Sequence, residues 1–171
     1  MTGDERALAE AVLELSRARG WTLATAESCT GGLVGASLTE VPGASDAYAG
    51  GIVAYSDDVK RAQLAVRAET LREHGAVSAE TAAEMATGAR RALATDVAVA
   101  VTGVAGPRGG TPNKPVGLVY VTVESPDGDS TERLHLEGDR QAIRVQATDA
   151  ALRLLHRHLT QTLMNTYDRD R

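Results

Sequence analysis

Apolar segments of strand length and of helix length alternate along this chain. They predict an α/β fold, a single three-layer α/β/α domain with a mixed, mainly parallel sheet. Three observations carry that reading. Val97-Ala98-Val99-Ala100-Val101 is apolar without alternation, as expected of a strand covered on both faces. Helical stripes lie on either side of it, Ala82, Met85, Ala86, Ala89 and Leu93 before it and Ile143, Ala147, Ala150, Ala151, Leu154 and Leu155 after it. The third observation is the pair of segments from Val116 to Val123 and from Thr131 to Leu136. They are joined at Pro126-Asp127-Gly128-Asp129, a turn sequence that makes them a hairpin and adds antiparallel pairing.

The remaining elements follow in order. Leu8, Ala11, Val12 and Leu15 form the stripe of a first helix that stops at Gly20, with Thr2 and Glu5 spaced as a capping box. Trp21-Thr22-Leu23-Ala24 reads as a buried strand, and Leu33 to Leu38 as the helix that follows it. Gly51-Ile52-Val53-Ala54-Tyr55 reads as another strand, with Ser56 or Asp57 capping the next helix. Ser78 caps a helix that runs to Ala94, and Asp139 caps the last long helix. No linker, repeat or low-complexity tract interrupts the pattern. One domain over residues 1–171 is therefore expected, with a core from about 5 to 163 and a frayed tail at 164–171.

Composition removes several classes of function. A chain of 171 residues with 43% hydrophobic content can bury a sizeable core. Its net charge of −5, without a long basic run, argues against a nucleic-acid-binding surface, although one phosphate could still find a local positive pocket. A single cysteine allows no internal disulfide, as in a reducing compartment. The N-terminal residues lack the basic and apolar regions of a signal peptide, and no apolar run approaches membrane-spanning length. A cytoplasmic protein with no membrane partner is expected.

The most informative segment is Thr25-Ala26-Glu27-Ser28-Cys29-Thr30-Gly31-Gly32, which leads from a strand through a hydroxyl-rich, glycine-closed turn into a helix. The first N–H groups of that helix have no partner inside it and are expected to face Ser28. They could stabilise an oxyanion while Ser28 attacks a carbonyl, or hold a phosphate. An ordinary N-cap explains the same residues on local sequence alone.

A second feature favours chemistry. Of 18 lysines and arginines only Lys60 and Lys114 are lysine, so arginine supplies the general surface charge. A neutral amine base must be a lysine, because guanidinium does not give up its proton in proteins. Lys60 falls in the first turn of its helix, where the macrodipole disfavours a cation. The plainer reading is a solvated lysine paired with Asp57 or Asp58.

Thr102-Gly103-Val104-Ala105-Gly106-Pro107-Arg108-Gly109-Gly110 follows a strand end. It is too rich in glycine for a helix, and suits either a ligand-wrapping loop or a flexible connection. Thr102 could bind substrate through its hydroxyl and Gly103 through its N–H. Cys29 is a rival nucleophile with no histidine near it in sequence. His74, His135, His156 and His158 show no metal-ligand spacing, so neither metal nor cofactor is expected.

Taken together, these segments resemble the C-terminal domain of the CinA competence/damage-inducible family, whose stand-alone members include PncC-type nicotinamide-nucleotide amidases. The likeness runs from about Trp21 to Leu155. It rests on Ala26 to Gly32, Pro42-Gly43-Ala44-Ser45, Gly51 to Ser56 with Lys60, and His74-Gly75-Ala76-Val77-Ser78. It continues through Thr102 to Pro107, Lys114-Pro115-Val116-Gly117, and Gly138-Asp139-Arg140 with Arg144. The resemblance implies hydrolysis of the carboxamide of nicotinamide mononucleotide to nicotinate mononucleotide and ammonia. It implies Ser28 as nucleophile and Lys60 as general base, with Tyr55 orienting Lys60 or relaying a proton. Ser45, otherwise a plain turn serine, is implied as a contact for base or substrate and Thr102 as a substrate contact, with Arg144 and Thr30-Gly31-Gly32 as phosphate contacts.

Larger members of that family add an N-terminal molybdopterin-binding-like domain linked to pyrophosphatase activity, which is not expected of these residues. Two other classes stay open. One is a nucleotide-binding regulatory or interaction module without turnover, against which the presence of both Ser28 and Lys60 speaks; the other is a Ser-Lys amidase or esterase for a different small substrate. The expected partner is a small nucleotide, and a homo-oligomer, dimer or larger, is left open.

Overall fold

The computed structural model describes residues 3–169, with side chains described as far as Gln161. Thr2, half of the expected capping box, and the last two residues of the expected tail lie outside the described residues. Five strands, β1 (Leu23–Glu27), β2 (Tyr48–Val53), β3 (Val97–Gly103), β4 (Leu118–Ser125) and β5 (Gly128–His135), form one sheet in the order β2-β1-β3-β4-β5. β1 runs parallel to β2 and β3, while β4 is antiparallel to both of its neighbours, so β4 alone opposes the other four. This is the mixed, mainly parallel α/β sheet that the pattern of segments predicts.

Among the described residues there are six α-helices, α1 (Gly3–Ala18), α2 (Leu33–Thr39), α3 (Asp57–Leu64), α4 (Ala68–His74), α5 (Ala79–Leu93) and α6 (Arg140–Arg169), with α3 and α4 packed on α5. Their caps follow from sequence. Ser56 accepts the Val59 N–H at 3.3 Å, Ser78 the Thr81 N–H at 3.1 Å, and the Asp139 carboxylate the Ala142 N–H at 2.8 Å. The short helix α4 carries no stripe long enough to announce it. Among the described residues, no helix is long and apolar enough to cross a membrane.

Strand alternation divides the core in two. Val97, Val99 and Val101 of β3 join Leu23 of β1 against α1, α2 and α6, where Leu13, Val34, Leu38, Ile143, Leu152 and Leu155 complete the cluster. The opposite face is built of small residues, Ala24, Ala26, Ala98 and Ala100, which let Met85, Ala86 and Ala89 of α5 and Leu64 of α3 approach closely.

The strand limits are offset from their sequence signals throughout, β4 and β5 included, and in β1 and β2 the cause is local. β1 begins at Leu23 rather than Trp21, because Trp21 turns to stack under the Arg19 guanidinium, 3.7 Å from its ring centroid. β2 ends at Val53, short of the expected Tyr55: its last ladder bond runs from the Ala54 N–H to the Glu27 carbonyl at 2.8 Å, and the chain then leaves the sheet toward the Ser56 cap.

The close approach of α3 and α5 has a measurable corollary at Gly88. A Cβ there would sit 2.0 Å from the Leu64 carbonyl oxygen, a backbone atom that cannot swing away. Alanine raises helix propensity by about 1 kcal/mol over glycine, but overpacking costs roughly 1–3 kcal/mol. Gly88→Ala is therefore expected to lower stability in urea denaturation; a rise would show that the two helices can separate freely.

Candidate active site

Strands β1, β2 and β3 end side by side, and the site forms at their carboxyl ends, where open α/β sheets leave a crevice. Ser28 is the first residue beyond β1. Its N–H donates to the Val101 carbonyl at 2.9 Å, so its backbone is still held by the sheet while its side chain stands at the sheet's edge. The Ser56 cap starts α3 so that Lys60 occupies its first turn. From there the side chain reaches back under the sheet end, with 1% exposure, and Nζ lies 3.2 Å from Ser28 Oγ and 3.1 Å from the Ala54 carbonyl oxygen.

Burial pushes the Lys60 ammonium below the usual lysine value of 10.5. The negative charge of Asp57, whose carboxylate is 4.0 Å from Nζ, pulls partly the other way. A neutral amine fits this geometry. One of its N–H groups donates to Ala54, and its lone pair can accept the Ser28 hydroxyl proton at the same distance.

The turn after Ser28 corrects one expectation. The N-terminal amides of α2 are not free. The Glu27 carboxylate, 2% exposed, accepts the N–H groups of Gly32 (3.0 Å), Val34 (3.0 Å) and Gly35 (2.8 Å) and the Thr30 hydroxyl (2.7 Å). An internal anion thus occupies the place proposed for a substrate phosphate. The Gly31 N–H is also used, by the Ser28 carbonyl at 3.1 Å. Sequence could have flagged Glu27, an acid at the end of an apolar strand, because a buried carboxylate requires donors.

Cys29 is 5% exposed, and its thiol is pushed up to about 11, first by burial and also by the Glu27 charge. It is a weak candidate for a thiolate nucleophile.

A cleft of about 270 Å³ opens over Ser28 and Lys60, close to the lower end of the roughly 300–1,000 Å³ of small-molecule sites. Its walls are the Ser28 turn, the start of α3, Ala76 and Val77 before α5, the glycine-rich loop after β3, and Arg140 at the start of α6. Thr102 and Gly103 line it as expected, but the Thr102 proton is donated to the Ala76 carbonyl at 2.7 Å.

Tyr55 also lines the cleft, yet it is 59% exposed and its hydroxyl accepts from Arg140 Nη2 at 2.7 Å, so its bond goes to the cleft mouth and not to Lys60. Ser45 is not brought to the site. It is exposed in a 3₁₀ turn (Ala44–Asp46) just before β2, at the opposite end of the sheet from Ser28.

Arg144 does not line the cleft: it donates to the carbonyls of Cys29 (3.2 Å) and Thr30 (2.9 Å) from outside the turn. Arg140, one helical turn earlier, and Arg108 of the glycine-rich loop are the cations that do. Arg140 donates to Tyr55 and to the Gly106 carbonyl at 2.7 Å. Both acceptors are uncharged, so its charge stays available for an anion. The signal for Arg140 lay in its place beside the Asp139 cap, at the positive end of a long helix.

The histidines lie elsewhere. His158 is buried between the hydroxyls of Ser125 (2.8 Å) and Ser130 (3.1 Å), and His74 faces Glu80 at 3.4 Å. Among the described residues, no group of three or more His, Cys, Asp or Glu side chains could hold a metal ion.

The state of Cys29 can be read by alkylation. With the thiol at about 11 in the fold and near 8.5 when unfolded, the thiolate fraction at pH 8 predicts iodoacetamide labelling on the order of a hundredfold slower in the native protein than in urea. Equal rates in both states would mean that the thiol is open and reactive.

Comparison with known proteins agrees with this architecture. Residues 5–159 match the family model described as the CinA C-terminal domain. A CinA-like protein of Parasynechococcus marenigrum is 51% identical over 154 residues, which is 89% of this chain and 37% of that protein. A CinA-like protein of Kosmotoga olearia is 47% identical over 155 residues, 91% of this chain and 38% of the relative. The chain thus spans well under half the length of these relatives. The crystal structure of the competence/damage inducible protein CihA from Agrobacterium tumefaciens superposes with a TM-score of 0.89 at 40% identity, covering 94% of this chain and 98% of that one. With the match running through the Ser28 turn, Lys60 and the glycine-rich loop, this chain belongs to the CinA C-terminal domain family.

Proposed function

We propose that this protein is an amidase that converts nicotinamide mononucleotide and water to nicotinate mononucleotide and ammonia through Ser28 and Lys60. The observation that carries the reading is the buried amine of Lys60 at 3.2 Å from the Ser28 hydroxyl, at the floor of a cleft. A family resemblance supports the choice of substrate.

In this mechanism neutral Lys60 takes the Ser28 proton as Oγ attacks the carboxamide carbon. The resulting ammonium then returns that proton to the departing nitrogen, releasing ammonia and leaving an ester on Ser28. A water molecule, deprotonated by Lys60, attacks the ester, and the proton goes back to Ser28 Oγ. Arg140 and Arg108 receive the phosphate at the cleft mouth.

The test is ammonia release by pure protein from nicotinamide mononucleotide, nicotinamide, glutamine and asparagine, with and without chelator. The mononucleotide should be the preferred substrate, and chelator should not matter. Ammonia from another amide instead would redirect the reading to a different small substrate, and none from any would favour a binding module.

Lys60→Arg keeps the charge but cannot accept a proton. It is expected to lose at least about a hundredfold in turnover while folded, as general-base catalysis typically contributes roughly 10²–10⁴-fold. Ser28→Ala should be comparably inactive, with little added by combining the two. Turnover should rise with pH through a value below 10.5, since the base acts deprotonated. Near-normal turnover in Lys60→Arg would sink the dyad.

Arg140→Ala should raise KM for the mononucleotide and leave the weak reaction of free nicotinamide unchanged. An equal effect on both would remove the phosphate assignment.

A further inference from the structure

We infer that Glu27 and Arg144 form a two-sided clamp on the nucleophile turn, and that Arg144 is a positioning residue for Ser28 and not a contact for substrate. The inference rests on the Ser28 and Lys60 reading above.

A tight turn that links a strand to a helix exposes N–H groups on the helix side and carbonyls on the other. Glu27 takes the first set. Its Oε2 accepts from Thr30 Oγ1, Gly32 N and Val34 N, and its Oε1 from Gly35 N, so both carboxylate oxygens are committed. Arg144 takes the second set, with Nε on the Cys29 carbonyl and Nη2 on the Thr30 carbonyl, a fork that spans two successive peptides.

The turn has no side chain at the points of closest approach. A Cβ on Gly31 would meet Arg144 Nη2 at 3.3 Å, and one on Gly35 would lie 3.5 Å from Glu27 Oε1 and 2.6 Å from the Tyr48 hydroxyl oxygen. The residues gripped between the two charges are those that directly follow Ser28, whose own N–H is fixed by Val101. Gripping them fixes the direction of Ser28 Oγ relative to Lys60 Nζ. A misplacement of about 1 Å can cost on the order of a hundredfold in rate.

Arg144→Met and Arg144→Lys separate the possibilities, with Glu27→Gln as a second probe because an amide puts a donor where one carboxylate oxygen now accepts. Each folded variant is assayed for kcat and KM with nicotinamide mononucleotide. Each is also assayed for the rate of Ser28 labelling by an aryl sulfonyl fluoride, read by intact mass.

The clamp predicts a fall in kcat of at least about tenfold in Arg144→Met, a KM changed by less than about twofold, and a parallel fall in labelling. Arg144→Lys, which can reach one carbonyl but not both, should recover part of each. A raised KM with unchanged labelling would return Arg144 to the substrate site and overturn the clamp. So would a lowered Tm with kcat and labelling unchanged, or a wild-type Ser28 that the reagent does not modify. Wild-type labelling without any ammonia from the mononucleotide would instead defeat the substrate reading, and the labelling rates would still decide the clamp.

Discussion

A primary amine kept out of water beside a hydroxyl is the constraint on which the rest of the site is built. Burying a charged ammonium is costly, and lysines are rarely fully buried unless something compensates. Here the compensation is limited to a carbonyl, a hydroxyl and one carboxylate at 4.0 Å, which is enough to hold Nζ in place and too little to fix its charge. Every element around it serves that placement. The Ser56 cap sets the register of α3, the alanine face of the sheet lets α3 lie close, and the Ala54 carbonyl, at the point where β2 leaves the sheet, aims the amine at Ser28.

The same economy governs the arginines. Three of them sit at the turn and the cleft and a fourth at the far end of the sheet, and their surroundings sort them. Arg144 meets backbone carbonyls, Arg140 meets a phenol and a carbonyl at the cleft mouth, and Arg108 rides on the glycine-rich loop. Arg17 spends a donor on the Gly43 carbonyl at the other end of the sheet. Identical chemistry thus grips backbone, lines a cleft or ties down a loop according to which oxygens surround it.

Much of this was legible in the residues. The apolar run of β3, the stripes of α5 and α6 and the hairpin turn each depend on local periodicity, which a sequence displays directly. Ser28 and Lys60 were legible for a different reason, because one of only two lysines in an arginine-rich chain and a serine at a strand-to-helix turn are unusual where they stand. Less visible was anything that depends on which groups meet in space. Glu27 looked like part of a motif and proved to be the partner of the helix amides; Tyr55 pairs with Arg140 across 85 positions. Ser45 shares a motif-like segment with proline and glycine but folds to the wrong end of β2, since a parallel strand carries its start and its finish to opposite sides of the domain.

Neighbouring positions on a strand face opposite ways, and that parity separates Glu27 from Ser28 by the thickness of the sheet. Glu27 shares the side of α2; Ser28 shares the side of α3 and its lysine. The sheet therefore works as an insulator. A full carboxylate one residue from Ser28 is kept from becoming the counter-ion of Lys60, and the charge that does raise the lysine's proton affinity is that of Asp57. Were both side chains on one face, the amine would be locked as an ammonium in a salt bridge. Strand parity is what allows an acid to shape the turn without pairing with the lysine.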